Sequence, residues 1–394
     1  MEDVLGNTLI FTDQHFGIKS NSPLRQKIGV LVIKKMLDFA SKNQIDNIVF
    51  CGDYFHQRNA LTIDTLNIAH KCIQALAKHA KLYMILGNHD LFNKNSTDVN
   101  SINIFRENKN VVVVDKAVEV NLNGCRSLFV PWLANLSNMK KDSYDFMFGH
   151  FDISTKFLID SYAKVHSATV EATSKVSNEI DSSFENNSSN STIELPGNFI
   201  DLVKVGGTIF AGHIHQHQEM KIKNRNFIFV GSPYEQNLGD IGCKCGFYVV
   251  DRSNNYAFHE ISGIPKHVKF KSSDVQKIGI DKYDFSSAAN NIVQKVYDTD
   301  VSLEDDMQIS QKIESFKPYE ELLPDYQVEL NFDSENAAND QNYLVKSLKK
   351  SKLEYIEKYV EQIDSKALDA NNIERLKLLK IMEKYYKLAS GESI

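Results

Sequence analysis

Apolar and polar positions change rhythm several times along this chain. Up to residue 86, short unbroken apolar runs alternate with longer segments of helical period. Leu9-Ile10-Phe11-Thr12, Ile48-Val49-Phe50-Cys51 and Leu82-Tyr83-Met84-Ile85-Leu86 read as buried strands. Between them Ile28, Val32, Met36, Leu37 and Phe39, then Leu66, Ile68, Ala69, Ile73, Leu76 and Ala77, recur at the spacing of helices buried along one face. This alternation predicts an α/β domain with parallel strands whose C-terminal ends lie on one side, where ligands of open α/β sheets gather.

From Val111 the runs shorten. Val111 to Val114, Val118 to Leu122, Ser127 to Val130 and Tyr144 to Phe148 predict a second sheet packed on the first, a β-sandwich flanked by helices. Residues 167–192 are rich in Ser, Asn, Thr and Glu and hold too little apolar area to offset their ordering entropy, which predicts a surface insertion. The domain resumes at Val203 to Phe210. It continues through Asn226 to Val230, the Gly231-Ser232-Pro233 turn, and strands at Gly246 to Val250 and Tyr256 to Ile261, closing a unit over 1–264.

After Pro265 a small α+β unit over 265–335 is expected. It comprises a strand at His267 to Phe270, mixed helix from Ser286 to about Phe316, and alternating Tyr326, Val328, Leu330 and Phe332. Past a polar hinge at Asp333 to Gln341, residues 342–390 carry two amphipathic stripes. Leu344, Leu348, Tyr355, Ile356, Tyr359, Val360 and Ile363 make the first. Ile373, Leu376, Leu379, Met382, Tyr385, Tyr386 and Leu388 make the second, opened by the cap-like Asn371-Asn372-Ile373-Glu374. Such a pair covers its own protein or docks in a partner's groove, and the tyrosines lean towards an interface.

Composition narrows the class. A length of 394 residues predicts two or three units, and 42% hydrophobic with 24% charged residues describes an ordinary soluble protein. A net charge of -6 argues against a polybasic, nucleic-acid-coating protein, yet leaves room for DNA held by metals and a local basic groove. The five cysteines are odd in number and scattered, as reduced thiols are, and Cys243-Lys244-Cys245 lacks the second pair of a metal site. Met1-Glu2-Asp3-Val4 does not begin a signal peptide and no apolar stretch is long enough to span a bilayer, so an intracellular location without membrane is expected.

The candidate chemistry falls at strand ends: Asp13-Gln14-His15, Gly52-Asp53, Gly87-Asn88-His89-Asp90, Gly149-His150 and Gly212-His213-Ile214-His215. Each motif alone is common, and a Gly-Asp pair is more often a turn than a ligand. Five together supply the oxygen and imidazole donors that Mn²⁺, Fe²⁺ or Zn²⁺ accept. A two-metal site needs a bridging carboxylate to hold its cations about 3.5 to 4 Å apart, and Asp53 is the natural bridge. Asp13, His15 and one imidazole of the His213 and His215 pair would complete the first metal. Asn88, His150 and the other imidazole would complete the second. His89 is the candidate general acid, with Asp90 orienting it through a hydrogen bond, and Trp132 of Pro131-Trp132 reads either as a packing anchor beside the site or as a plain core aromatic. This is the equipment of a two-metal phosphoesterase, in which a metal-acidified water attacks a phosphate diester.

These motifs, with Gly52-Asp53-Tyr54-Phe55-His56, resemble the calcineurin-like metallophosphoesterase superfamily. Within it they look most like the SbcD-type DNA-repair nucleases, including phage-encoded recombination endonuclease subunits, over about residues 8 to 262. The resemblance implies a metallophosphoesterase β-sandwich, then a small capping domain and a C-terminal helix-loop-helix. It implies that Asp13, His15, Asp53 and His215 hold the first metal, and Asp53, Asn88, His150 and His213 the second. His89 then serves the leaving group and His56 exonuclease action on duplex ends. It implies two divalent ions with a Mn²⁺ preference, a homodimer acting on DNA, and an SMC-like ATPase of SbcC type on residues 342–390, in the cytoplasm of a host if phage-encoded. The insertion at 167–192 departs from the compact pattern of that branch.

Two other readings compete. One is a phosphatase or cyclic-nucleotide phosphodiesterase of the same superfamily. Against a Ser/Thr phosphatase, Asp53 is followed by Tyr54-Phe55-His56 rather than by Arg and Gly. The other is a non-catalytic dimeric scaffold for the ATPase, against which the complete ligand set argues.

Overall fold

The computed structural model describes residues 2–134, 144–150, 206–222, 225–299 and 301–326. The chain divides into two units, Met1–Gln327 and Val328–Ile394, and only the first is described. The insertion expected at 167–192, the hinge, the helix pair of 342–390 and the strand positions Val328, Leu330 and Phe332 lie outside the described residues.

Strands β1 (Glu2–Val4), β2 (Asn7–Phe11), β3 (Ile45–Phe50), β4 (Lys81–Ile85) and β5 (Val111–Val114) come first, with helices α1 (Pro23–Lys42) and α2 (Ile63–His79) between them. They are followed by β6 (Val118–Leu122), β7 (Cys125–Val130), β8 (Tyr144–His150), β9 (Gly206–Gly212), β10 (Gln218–Ile222), β11 (Arg225–Phe229), β12 (Gly246–Val250) and β13 (Tyr256–Glu260). Two sheets result, in the orders β13-β12-β2-β3-β4-β5 and β1-β6-β7-β8-β9-β11-β10. β2 through β5 run parallel.

The unbroken apolar runs follow from cover on both faces of the first sheet. Ile10, Val49, Tyr83 and Ile85 point into the sandwich, where they meet Phe129, Phe148, Phe210 and Ile228 of the second sheet. Their neighbours Leu9, Phe11, Ile48, Phe50, Leu82 and Met84 point outward onto Ile28, Val32, Met36, Ile73 and Leu76 of the helices. α1 opens at Ser22, whose hydroxyl accepts from the Arg25 amide, with Pro23 at its first position. α2 opens at Thr62, which caps the Thr65 amide.

Two expectations need correction. Val111 to Val114 does not join the second sheet but pairs in parallel with β4, Leu82 opposite Val111. Val111, Val113 and Val114 are buried and Val112 is partly so, as a strand packed on both faces requires, whereas β6 alternates buried and partly exposed positions. The stretch from Ser286 to Phe316 is not continuous helix. Ile292-Val293 and Val296-Tyr297 build strand β15 (Ile292–Tyr297), and the helix begins only after the Ser302 cap.

That strand belongs to a small separate sheet. β14 (His267–Lys271) pairs with it in parallel, as do the two-residue strands β16 (Glu320–Glu321) and β17 (Asp325–Tyr326). Helices α3 (Ser272–Ile278) and α4 (Leu303–Ser315) cover it over a core of Phe270, Val275, Phe285, Val293, Ile309 and Ile313. This capping sheet leans on α1. Ile292 joins the core beneath that helix, and the Tyr319 hydroxyl donates to the Leu24 carbonyl at 2.7 Å. Arg25, fully buried, lies 2.9 Å from His267 Nε2, and its Nε forms an off-axis ion pair with Glu320 at 2.8 Å. Replacing Arg25 by Ala strands both partners. We expect a loss of about 3 kcal/mol, read as a melting midpoint several degrees lower in calorimetry.

Candidate metal centre

The loops after β2, β3, β4, β8 and β9 meet at one rim of the sandwich, and backbone hydrogen bonds lace the first two together. The Asp13 amide donates to the Gly52 carbonyl at 2.9 Å, His15 to Asp53 at 3.1 Å, Phe16 to Tyr54 at 2.9 Å, and His56 back to Phe16 at 2.9 Å. Four of the expected ligands stand in the left-handed backbone region: Asp13 (φ 52°), His15 (φ 48°), Asp53 (φ 62°) and His213 (φ 89°). Each such non-glycine residue costs roughly 1 to 3 kcal/mol, which the surrounding lacework must hold. Close approach explains two glycines. A Cβ on Gly52, itself at φ 98°, would sit 2.4 Å from His150 Nδ1, and one on Gly212 would sit 2.2 Å from Thr12 Oγ1.

All seven expected ligands converge. Asp53 Oδ2 lies 3.6 Å from His15 Nε2 and 3.3 Å from His150 Nε2, so one carboxylate oxygen faces both halves of the cage. On one side Asp13 Oδ1 is 3.6 Å from His15 Nε2 and 3.8 Å from His215 Nε2, and the two imidazole nitrogens are 3.2 Å apart. On the other, Asn88 Oδ1 is 2.9 Å from His150 Nε2 and 3.1 Å from His213 Nδ1. The donor atoms of Asp13, His15 and His215, and those of Asp53, His150 and His213, form two compact triads.

The residues fit a pair of cations. Asp13 Oδ1 is buried with no hydrogen-bond donor among the described residues, an arrangement that costs free energy unless positive charge fills it. His150 Nδ1 must be protonated, because its neighbour at 2.8 Å is the Cys51 carbonyl, and this leaves Nε2 as the coordinating lone pair. Without metal, protons take up the charge. Burial works against the His150 imidazolium, but Asp53 and Asp13 outweigh it and push its pKa up to about 9. Asp53 is held well below the usual carboxylate range: burial opposes this, while His150, His15 and His89 enforce it. Metal binding here must therefore displace protons.

His56 and His89 stand beside the cage with rings stacked, centroids 5.5 Å apart. His89 Nδ1 donates to the His56 carbonyl at 2.8 Å, which frees Nε2. Burial, with the imidazoles of His15 and His89 next, pushes His56 down to about 4. Burial likewise lowers His89, Asp53 opposing it. The nitrogens of His15, His56 and His89 form a third close group, beyond the two expected ligand sets.

Asp90 differs from its expected part. Its carboxylate turns to the backbone, accepting from the amides of Gly87, Asp53 and Tyr54, each at 2.9 Å, while His89 is oriented by a carbonyl instead. Burial and then Asp53 push Asp90 up to about 6 despite those bonds. Asp90→Ala would leave four buried amides without this acceptor, that of Phe55 at 3.4 Å among them. We expect at least about 3 kcal/mol of destabilisation, measured by thermal denaturation of the metal-free protein. Trp132 flanks the second triad, its ring 5.9 Å from His150 and 5.3 Å from His213. Tyr234 and Gln236, outside the expected site, bind the carbonyls of the Asp13 loop. Their one signal was that they follow the Gly231-Ser232-Pro233 turn.

A sandwich carrying such a cage defines a metal-dependent phosphoesterase, and the profile of the calcineurin-like phosphoesterase family matches residues 7–217, more than half of the chain, which therefore belongs to that family. Among individual proteins, the chain is 25% identical to exonuclease subunit 1 of Enterobacteria phage T4 over 284 residues, covering 68% of this chain and 74% of that protein. It is 27% identical to the putative phosphoesterase 078R of Invertebrate iridescent virus 3 over 129 residues, covering 32% of this chain and 36% of that protein. A solved archaeal phosphodiesterase aligns over 65% of this chain and 99% of its own, at 10% identity and a TM-score of 0.31. Among the described residues no helix is long and apolar enough to cross a membrane.

Proposed function

We propose that this chain is the nuclease subunit of a DNA repair and recombination complex. On this reading it cleaves the phosphodiester bonds of DNA from duplex ends and in single strands, with two divalent ions, Mn²⁺ preferred. The observation that carries it is the place of Asp53, whose Oδ2 faces His15 on one side and His150 on the other. The similarity to a phage exonuclease subunit, over a longer stretch than the family profile spans, directs the reading to DNA and to a second subunit. A homodimer, an SMC-like ATPase on residues 342–390 and a host-cytoplasm setting belong to the same proposal.

When bound, the cations supply Lewis acidity to the phosphate oxygens and acidify a water near neutral pH. Asp13, His15, Asp53 and His215 would hold the first, and Asp53, Asn88, His150 and His213 the second. His89, its Nδ1–H committed to the His56 carbonyl, has Nε2 available to carry the proton that the leaving oxygen needs. Trp132 walls the imidazoles of the second triad from one side.

The test is hydrolysis by the full chain with Mn²⁺, offered linear duplex DNA and p-nitrophenyl phosphate in parallel. We expect the DNA to shorten from its ends and the monoester to turn over poorly. The opposite preference would replace the nuclease with a phosphatase. Turnover of neither would leave a scaffold.

A further inference from the structure

We infer that Tyr234-Glu235-Gln236 is a strap through which the seating of the capping sheet sets the metal affinity of the Asp13, His15 and His215 side of the cage. The inference rests on the two-metal reading above and adds residues that the reading does not use.

In the Asp13 loop two left-handed ligands flank Gln14. Its amides are bound by the loop after β3, so its shape also depends on where its carbonyls go. The carbonyl of Asp13 accepts from Gln236 Nε2 at 2.5 Å, and that of Gln14 accepts from the Tyr234 hydroxyl at 3.0 Å. Both side chains are almost fully buried. The root of the same segment reaches the third ligand of this side, since the Ser232 amide donates to the His215 carbonyl at 2.8 Å. Thus one short segment grips both loops that supply Asp13, His15 and His215. The other hydrogen bonds of this segment go to Asp240, Gly242 and His267.

The middle residue faces the other way, towards the capping sheet. Glu235, 2% exposed, accepts from the His267 amide of β14 at 2.5 Å and from the Gly242 amide at 3.2 Å. His267 continues to Arg25 at 2.9 Å, and Arg25 to Glu320 of β16. A buried polar chain therefore runs from the capping sheet to the carbonyls of the metal loop with no solvent gap. A shift of β14 moves Glu235, and its neighbours on either side carry the shift to Asp13 and Gln14. Tyr234 and Gln236 are positioning residues, because they touch no reacting atom.

The test titrates the metal-free full chain with Mn²⁺ by calorimetry and follows amide hydrogen exchange in the same samples. Tyr234→Phe deletes one oxygen and keeps the ring, and Glu235→Gln weakens the hold on His267. We expect each to weaken one of the two Mn²⁺ binding events roughly 10- to 100-fold and to leave the other as in wild type. Both should speed exchange at residues 13–16 without metal. By reciprocity, Mn²⁺ should slow exchange at residues 267–271 in wild type and fail to do so in Tyr234→Phe. This last comparison needs no cap variant, so poor folding of Glu235→Gln does not remove the test. A Tyr234→Phe titration that overlays wild type, or one in which both events weaken alike, overturns the strap. If wild type itself binds no Mn²⁺, the two-metal reading fails, and unchanged exchange at residues 13–16 in Tyr234→Phe then overturns the strap separately.

Discussion

Asp53→Asn is expected to lower metal-dependent phosphodiester hydrolysis by roughly 10³-fold or more, which corresponds to the several kcal/mol that a correctly held pair of cations contributes. The substitution is nearly isosteric. It retains an oxygen to accept from the His89 amide, 2.7 Å away in the native protein, so the turn at Gly87 to Asp90 should survive. What it removes is the negative charge that faces His15 and His150 together. Kinetics with Mn²⁺ would show the loss, and calorimetric titration should show fewer than two ions bound. Activity within tenfold of wild type, at unchanged stoichiometry, would remove Asp53 from the bridge and with it the carrying observation.

His89→Ala should separate chemistry from binding. Its ring lies against His15 and His56 but outside the two compact triads, so both Mn²⁺ ions should still bind with native affinity. The turnover number should fall by roughly 10²- to 10⁴-fold, the range that loss of a positioned proton donor produces. Rapid-mixing single-turnover assays on a short duplex would place the defect in the cleavage step. If metal affinity falls in parallel, His89 is a ligand, and the close group formed by His15, His56 and His89 becomes the better description of that corner.

The cage was legible in the sequence because its donors sit at strand ends, and strand ends are marked by apolar runs that stop at Gly, Asn or Asp. Asp13, Asp53, Asn88, His150 and His213 were each reachable that way. Where period and cover agree, as at β2, β3 and β4, the fold could be read as well. It was misread where they diverge. The shortness of Val111 to Val114 resembles the strands that follow and points to the second sheet, although four consecutive valines signal cover on both faces. Ile292 to Tyr297 was absorbed into a helix because Gln294 and Lys295 interrupt the β-branched pattern. Asp90 was placed beside His89 because they adjoin in sequence, whereas its carboxylate reaches the amides of Asp53 and Tyr54 on another loop. Tyr234 and Gln236 were invisible because what they bind is backbone, which leaves no mark on the residue types of the loop they hold.

The order of strands in the first sheet carries a consequence for biosynthesis. β2, which delivers Asp13 and His15, is flanked by β3 on one side and by β12 on the other, with Tyr248 opposite Ile10. A nascent polypeptide emerging from the ribosome thus lacks one neighbour of β2 until β12 has been made, and it gains His213 and His215 only shortly before. An early and a late strand of this unit must pair before the site closes, so chains stalled before β12 should carry no hydrolytic activity.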